Sequence, residues 1–450
     1  MNSCFSRGVC GSLFASFAFL AVLSTCAKAQ NPVNPDDTIA RIVGHAMTSG
    51  AASRFLETIT DTIGGRITGT PESRKTSELI LKTLREAGFD NAHFETYQLT
   101  PTWQKGTTTA EVVSPVKRML YVGTYGWAPG TPGPIEVPVA DLAASADGHS
   151  PLKTNARGAA VLIDLHSNAL STSYVGIRAA IAKQLAEAGA AAMMIISDKP
   201  DRMLYTSAFL LYPKAPLPVL SIAAEDAAFL RRLLAHDNVK INLNVTNAFG
   251  GQAEERNVIA DLEGSDPSTS VLLTAHFDSW DPAQGANDNG CGVAAVLDAA
   301  RTLKSMNIRP RHTIRFVFFS GEEQSDLGSK AYVDQHKNEL DRIWAVVNTD
   351  SGAQAPLGLQ LYGRKDLEPA TQAVLKALAP MAANQISLDA DFESDEESFL
   401  VVGVPVYSLL VEHGDYDSRH HTVIDTFERI DPRMLSLQTA VLAVVGYELA

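Results

Sequence analysis

Five residues able to ligate a metal and one able to act as a general base lie in the C-terminal part of the chain, each close to a short apolar run. They are His276 in A-H-F-D-S, with Asp278 two residues on, and Asp288 in G-A-N-D-N-G. Glu322 and Glu323 follow in F-F-S-G-E-E, Asp350 in V-N-T-D-S, and His421 in H-H-T-V-I-D-T. Imidazoles combined with carboxylates suit borderline divalent cations such as zinc. Singly, each residue has an ordinary explanation: His-x-Asp can be a surface hydrogen bond, and Glu-Glu a solvated turn. As an ordered set beside strand ends, they describe one metal-dependent site.

The elements that must position them alternate between strand and helix from Asn257 onward, the pattern of an α/β sandwich. Strands are expected at Asn257–Asp261, Val271–Ala275, Thr313–Phe319, Ile343–Asn348, Leu359–Tyr362 and Val406–Val411. Helices are expected at Gly290–Ser305, Leu327–His336, Leu367–Leu378 and Pro432–Leu449. In open α/β sheets, ligands collect beyond the carboxyl ends of the strands. His276, Glu322, Glu323 and Asp350 each follow a strand, and Asp288 precedes a helix whose positive end favours an anion. The loop after Val406–Val411 then brings in His421. So many acids in one crevice would repel unless cations were bound among them.

The rest of the chain frames this region. With 450 residues there is room for two or three domains with proper cores, and 45% hydrophobic and 20% charged residues describe an ordinary globular protein. Residues 1–29 stand apart: Arg7 gives a small positive start, Val9 to Leu23 is mostly apolar and small, and Ala27-Lys28-Ala29 fits a signal-peptidase site. That apolar run is short for a membrane span. A secreted or periplasmic protein is expected, cleaved near Ala29. Leu23-Ser24-Thr25-Cys26 resembles a lipoprotein box, with Thr25 a poor residue before a lipidated Cys26. Cleavage near Ala29 would leave Cys291 as the only cysteine and take away two positive charges, moving the net charge from −14 to −16. Nucleic acid is therefore not an expected partner, nor is a membrane unless Cys26 is lipidated.

Helical periodicity runs from about Asp37 to Ile63. The turn-rich Gly64-Gly65-Arg66-Ile67-Thr68-Gly69-Thr70 follows, and Pro71 opens a helix to Ala87. Strands are expected at Ala92–Leu99 and Thr109–Val113. Between about 118 and 248 the texture changes to short apolar runs (Ala159–Leu165, Ala191–Ile196, Leu217–Ile222) and one helix from Val175 to Ala188. No acid–histidine cluster occurs there; His149 and His166 stand alone. A separate, catalytically silent domain is expected, inserted between residues 30–117 and 249–450, which together form the part that carries the site.

H-F-D-S-W-D, G-A-N-D-N-G-C-G, F-S-G-E-E-Q, N-T-D-S-G and H-H-T-V-I-D-T resemble the co-catalytic dizinc exopeptidases of the aminopeptidase / glutamate carboxypeptidase family, and within it the plasma glutamate carboxypeptidase-like branch. G-A-A-V-L-I-D, A-G-A-A-A-M-M-I-I-S and L-P-V-L-S-I are similar to a protease-associated domain. The resemblance implies a mixed, largely parallel β-sheet sandwiched by helices, with an inserted β-rich domain. It implies two zinc ions per chain: His276 and Asp350 on one, Glu323 and His421 on the other, and Asp288 between them. Glu322 matches the family's general base and Asp278 its second-sphere carboxylate. His421 is the better match of the doublet, because the family's ligand stands four residues before the Asp-Thr, here Asp425-Thr426. Such a pair of cations can share and acidify a water while polarising a scissile carbonyl.

The expected substrates are short peptides, with the acidic loop Glu412–Arg419 tilting the reading toward an aminopeptidase or dipeptidase. A homodimer stays open. A single-zinc glutaminyl cyclase shares the fold, but the full five-ligand set disfavours it. Receptor-like relatives typically lose ligands, and this chain keeps all of them. No substrate-binding residue is singled out.

Overall fold

The computed structural model describes residues 35–142, 155–165, 172–209, 214–392 and 394–450. The leader-like residues 1–29 with Cys26, as well as His149 and His166, lie outside the described residues.

A mixed eight-stranded sheet carries the site. In spatial order its strands are His93–Leu99, Ala253–Leu262, Thr313–Phe319, Ser270–His276, Ile343–Asn348, Val406–Val411, Pro356–Gln360 and Gln385–Ser387. The central four, from Thr313–Phe319 to Val406–Val411, run parallel, whereas Ala253–Leu262 and Pro356–Gln360 flank them antiparallel. Successive side chains on a strand point to opposite faces, so one strand feeds two cores. Val271, Leu273, Phe316, Phe318 and Val347 pack with the helices Ala51–Thr62, Pro71–Glu86, Cys291–Ser305 and Pro432–Leu449. Leu272, Val317, Phe319 and Val346 pack on the other face with Tyr332 and Phe399, from Leu327–Gln335 and Glu396–Leu400. With both faces covered, these strands read as continuous apolar runs rather than alternating ones.

Two expectations change in detail. The periodic stretch 37–63 is two helices, Pro35–Ser49 and Ala51–Thr62, because Gly50 at φ +60° breaks the hydrogen-bond ladder. The strand expected at Leu359–Tyr362 lies at Pro356–Gln360, since Tyr362 sits at φ +50°, a left-handed conformation that no strand accommodates.

A second eight-stranded sheet has the order Arg118–Leu120, Thr108–Ser114, Lys240–Val245, Ile135–Leu142, Ala160–Ile163, Ala192–Ile196, Val219–Ile222 and Val122–Thr124. The helices Thr172–Glu187 and Ala224–Leu234 accompany it. Thr108–Ser114 belongs to this sheet because it pairs with Lys240–Val245, so the second sheet starts before residue 118. The chain leaves the first sheet after Leu99 and returns at Ala253, with the short pair Trp103–Gln104 and Ala248–Phe249 between the two. Among the described residues, no helix is long and apolar enough to cross a membrane.

Candidate metal centre

The four parallel strands end side by side, and their carboxyl ends deliver the acids and histidines to one edge. His276 is the last residue of Ser270–His276, Glu322 and Glu323 sit in the turn after Thr313–Phe319, and Asp350 follows Ile343–Asn348. Asp288 occupies an irregular turn, Ala286–Gly290, ahead of the helix Cys291–Ser305, and the Asp288–Asn289 peptide is cis. His421 follows the short helix Tyr416–Arg419 and has φ +57°.

Asp288 lies between the two histidines and divides its oxygens between them. Its Oδ1 is 3.4 Å from His276 Nε2, and its Oδ2 is 3.1 Å from His421 Nε2. His276 Nε2 also lies 3.2 Å from Asp350 Oδ1 and 3.7 Å from Glu322 Oε2. His421 Nε2 lies 3.0 Å from Glu323 Oε2. His420 stacks on His421 with ring centroids 3.7 Å apart, and its Nε2 lies 3.4 Å from Asp288 Oδ2. Six of the seven residues singled out in the sequence thus converge on one point. The seventh, Asp278, stands behind His276, its Oδ1 3.5 Å from Nδ1.

The donors fit two divalent cations. His276 Nε2, Asp350 Oδ1 and Glu323 Oε1 are buried without a hydrogen-bond partner, which folded proteins ordinarily avoid. Two groups of side chains could each hold an ion, His276, Glu322 and Asp350 in one and Asp288, His420 and His421 in the other; Glu323 belongs to neither and adjoins the second through His421. The protonation pattern agrees. Burial holds the Glu322 carboxyl well above the usual range against the opposing charge of His276, with Asp350 and Glu323 adding to the rise. Burial likewise pushes Glu323 up to about 7, His421 opposing. Burial alone would also raise Asp288, yet the facing imidazoles of His276 and His421 hold it well below. Burial disfavours a charged His276, but Asp350 and Glu322 lift it well above its ordinary value. Carboxylates buried this close together call for positive charge among them, which a pair of cations would supply.

A set of braces fixes these residues. Asp278 accepts hydrogen bonds from the Thr68 hydroxyl at 2.7 Å and from the backbone N–H of Glu322 and Glu323 at 3.4 and 3.3 Å. It therefore ties the His276 strand to the Glu322-Glu323 turn. Asp425 accepts from the N–H of Asn287 at 2.5 Å and of Asp288 at 3.1 Å, and burial pushes its carboxyl up to about 7. Arg66 is fully buried, and its guanidinium donates to the carbonyls of Phe277, Gly64, Gln284 and Gly285 at 2.6–2.9 Å. One side chain thus joins the loops that carry Asp278 and Asp288. Gly285, at φ +59°, makes room for it: a Cβ there would lie 2.3 Å from Ser279 Oγ and 2.9 Å from Arg66 Nη2.

Sequence reasoning passed over Arg66, Thr68 and the bracing by Asp425. The signal for the first two was a seven-residue stretch (64–70) rich in glycine and threonine around a single arginine, between two helices. Trp280 and Asp281, which end the stretch H-F-D-S-W-D, part company: the Trp280 ring lies 6.3 Å from that of His421, whereas Asp281 is paired with Lys105 at 2.6 Å. Trp280, Pro282, Ala283 and Thr422 line a small cleft beside Asp288 and His421. Cys291 is buried, its thiol pushed above its ordinary range by that burial, as expected of a structural cysteine.

The profile of peptidase family M28 matches residues 257–445. Carboxypeptidase Q of Xenopus laevis is 30% identical over 426 residues, covering 92% of this chain and 89% of that protein. Carboxypeptidase Q of Homo sapiens is 26% identical over 468 residues, covering 100% of this chain and 95% of that protein. Among solved structures, a peptidase M28 precursor from Shewanella amazonensis gives a TM-score of 0.80 at 27% identity, covering 92% of this chain and 96% of that one. The Bacillus subtilis zinc aminopeptidase BSAP shares the fold, with a TM-score of 0.69 at 23% identity over 88% of this chain and 93% of its own. Fold and site together define a metallo-exopeptidase. The chain belongs to peptidase family M28.

Proposed function

We propose that this chain is an exported exopeptidase that binds two zinc ions and hydrolyses the terminal peptide bond of short peptides, with a preference for a free amino terminus. The observation that carries the reading is the division of Asp288: one oxygen faces His276 and the other His421. His276 and Asp350 would hold one ion, Glu323 and His421 the other, with Asp288 shared between them. The ions would supply an acidified water and a polarised scissile carbonyl. The remaining work belongs to side chains. Glu322, beside but not between the histidines, takes a proton from the attacking water and returns it to the leaving amine. Asp278 holds the Glu322 and Glu323 backbone in place while steadying His276. Export is inferred from the leader pattern of residues 1–29 alone.

The direction of attack rests on charge. A carboxypeptidase needs a cation for the substrate's carboxylate, and the described cations nearest the cleft are already engaged. Arg66 is bound to four carbonyls, Arg419 to Asp415 and the Arg429 carbonyl, Lys105 to Asp281, and Lys199 to the Asp417 carbonyl. The name carboxypeptidase Q of several relatives points the other way, and that of BSAP points this way. A panel of dipeptides blocked at one end or the other tests the direction. Acetylating the amine is expected to lower kcat/KM by about 100-fold or more, the scale of leaving a buried recognition group unpaired. Amidating the carboxylate should cost far less. The reverse order would assign a carboxypeptidase instead.

A further inference from the structure

The segment Ser197 to Ala208 carries the inserted sheet to the metal centre, where Tyr205 and Thr206 lie against His421. The anchor of the segment lies in the second sheet. Ser197 donates its N–H to the Ile222 carbonyl at 2.9 Å, and its hydroxyl donates to the Met203 carbonyl at 2.8 Å and accepts the Tyr205 N–H at 3.2 Å. Gly126, next to the strand Val122–Thr124, donates its N–H to the Ser207 carbonyl at 2.9 Å and bridges to Ala208. Gly126 also lies flat against Trp280, where a Cβ would come within 2.0 Å of the indole ring. The path from the inserted sheet to the site is therefore short and hydrogen-bonded throughout.

At its end, this segment touches His421 twice. The Thr206 N–H donates to the His421 carbonyl at 3.1 Å, and Thr206 is itself buried. The Tyr205 ring lies over the His421 imidazole with centroids 5.3 Å apart and planes at 32°. On its other sides the imidazole meets His420, stacked at 3.7 Å, and the edge of Trp280 at 6.3 Å. His421 needs such support, because its backbone is at φ +57°. A left-handed non-glycine residue costs of the order of 1 kcal/mol and persists only where its surroundings over-determine it. A metal ligand whose backbone and ring were both free to relax would lose the orientation that aims Nε2 at Asp288 and Glu323.

We infer that Tyr205 and Thr206 of the inserted domain are positioning residues for the cation held by His421 and Glu323. The inserted domain is then a structural part of the metal centre rather than catalytically silent. The inference rests on the two-ion reading above and adds to it a claim about which ion depends on the insert. The His276 side has no such contact among the described residues; its braces, Asp278 and Thr68, come from the peptidase portion. One ion should therefore depend on Tyr205 and the other should not.

The test is a chelator titration of the purified zinc-loaded protein, with zinc per chain read by elemental analysis. The wild type should hold two ions. In Tyr205→Ala, one of the two should be held about 10- to 100-fold more weakly, the range for residues that orient a metal ligand without touching the metal. The other ion should be unchanged. Tyr205→Phe keeps the ring and should match the wild type within about twofold, and Tyr205→Leu, which fills space without a flat face, should follow the alanine variant. Thr206→Pro removes the donated N–H and should weaken the same ion. The melting temperature of the metal-free variants separates this from general loosening, and Tyr205→Ala and Tyr205→Leu should melt near the wild type. If the wild type holds two ions and Tyr205→Ala and Thr206→Pro keep them equally tightly, the inference is overturned while the two-ion reading stands. A wild type that holds only one ion overturns both.

Discussion

Replacing Glu322 by Gln should lower kcat by about 10²- to 10⁴-fold, the range for loss of a positioned general acid–base group, while zinc content stays at the wild-type level. The amide has nearly the shape of the carboxylate, so packing in the turn after Thr313–Phe319 is preserved and only the proton-accepting function goes. KM should change little, because the group acts on the reacting proton rather than on binding. Steady-state kinetics on a chromogenic aminoacyl amide, with zinc measured on the same preparation, read both quantities. The second measurement matters because Glu322 stands with His276 and Asp350 in one group able to hold an ion. If the glutamine variant loses zinc in step with activity, Glu322 is a ligand. If activity falls by less than about threefold, far short of that range, Glu322 has no part in proton transfer.

Replacing Arg66 by Met should destabilise the fold by about 3–5 kcal/mol, the range for removing one partner from a buried charged network. Arg66 has no solvent exposure, and its four acceptor carbonyls belong to Gly64 and to the loops carrying Asp278 and Asp288. Methionine fills much of the volume but takes the donor from the carbonyls of Phe277, Gly64 and Gln284, at about 1–3 kcal/mol for each group left buried and unsatisfied, while Gly285 still accepts from the Gly290 N–H. It also removes a cation from among Asp425, Asp278, Asp288 and Glu323. Burial lowers the Arg66 pKa to about 10, these four carboxylates opposing the fall, so the side chain is charged at neutral pH. A lysine at this position would keep the charge without the fork, so Arg66→Lys should recover only a small part of the loss. Denaturant unfolding of the metal-free proteins measures this directly. A loss below about 1 kcal/mol, no more than one ordinary hydrogen bond, would mean that the loops carrying Asp278 and Asp288 hold their shape without Arg66.

The ligand-bearing motifs were legible because each is local. His276, Glu322, Glu323 and Asp350 follow apolar runs long enough to read as strands, and the rule that ligands collect at carboxyl ends then brings distant stretches together. The central parallel strands were legible for the same reason: buried on both faces, they are nearly continuous in apolar residues. What could not be read is whatever acts through the backbone of a distant partner. Arg66 meets acceptors more than 200 positions away at Phe277, Gln284 and Gly285, and a carbonyl leaves no mark in a sequence. Tyr205 and Thr206 meet His421 across a similar span. In the second sheet, Ile135–Leu142 is hidden in the sequence by Pro138, which breaks the look of a strand, although the strand pairs on both sides. The helix Ala224–Leu234 has two acids in its first turn and two arginines in its last, but Ala223 at its start gives no side-chain cap to mark it.

The central claim is that Asp288 stands between two metal ions, and a crystal structure of the zinc-loaded protein with anomalous data at the zinc edge tests it most directly. Two peaks are predicted about 3.5–4 Å apart, the spacing of paired-metal sites: one beside His276 and Asp350, the other beside Glu323 and His421, with Asp288 touching both. A single peak, or two peaks of which one lies away from Asp288, would contradict it.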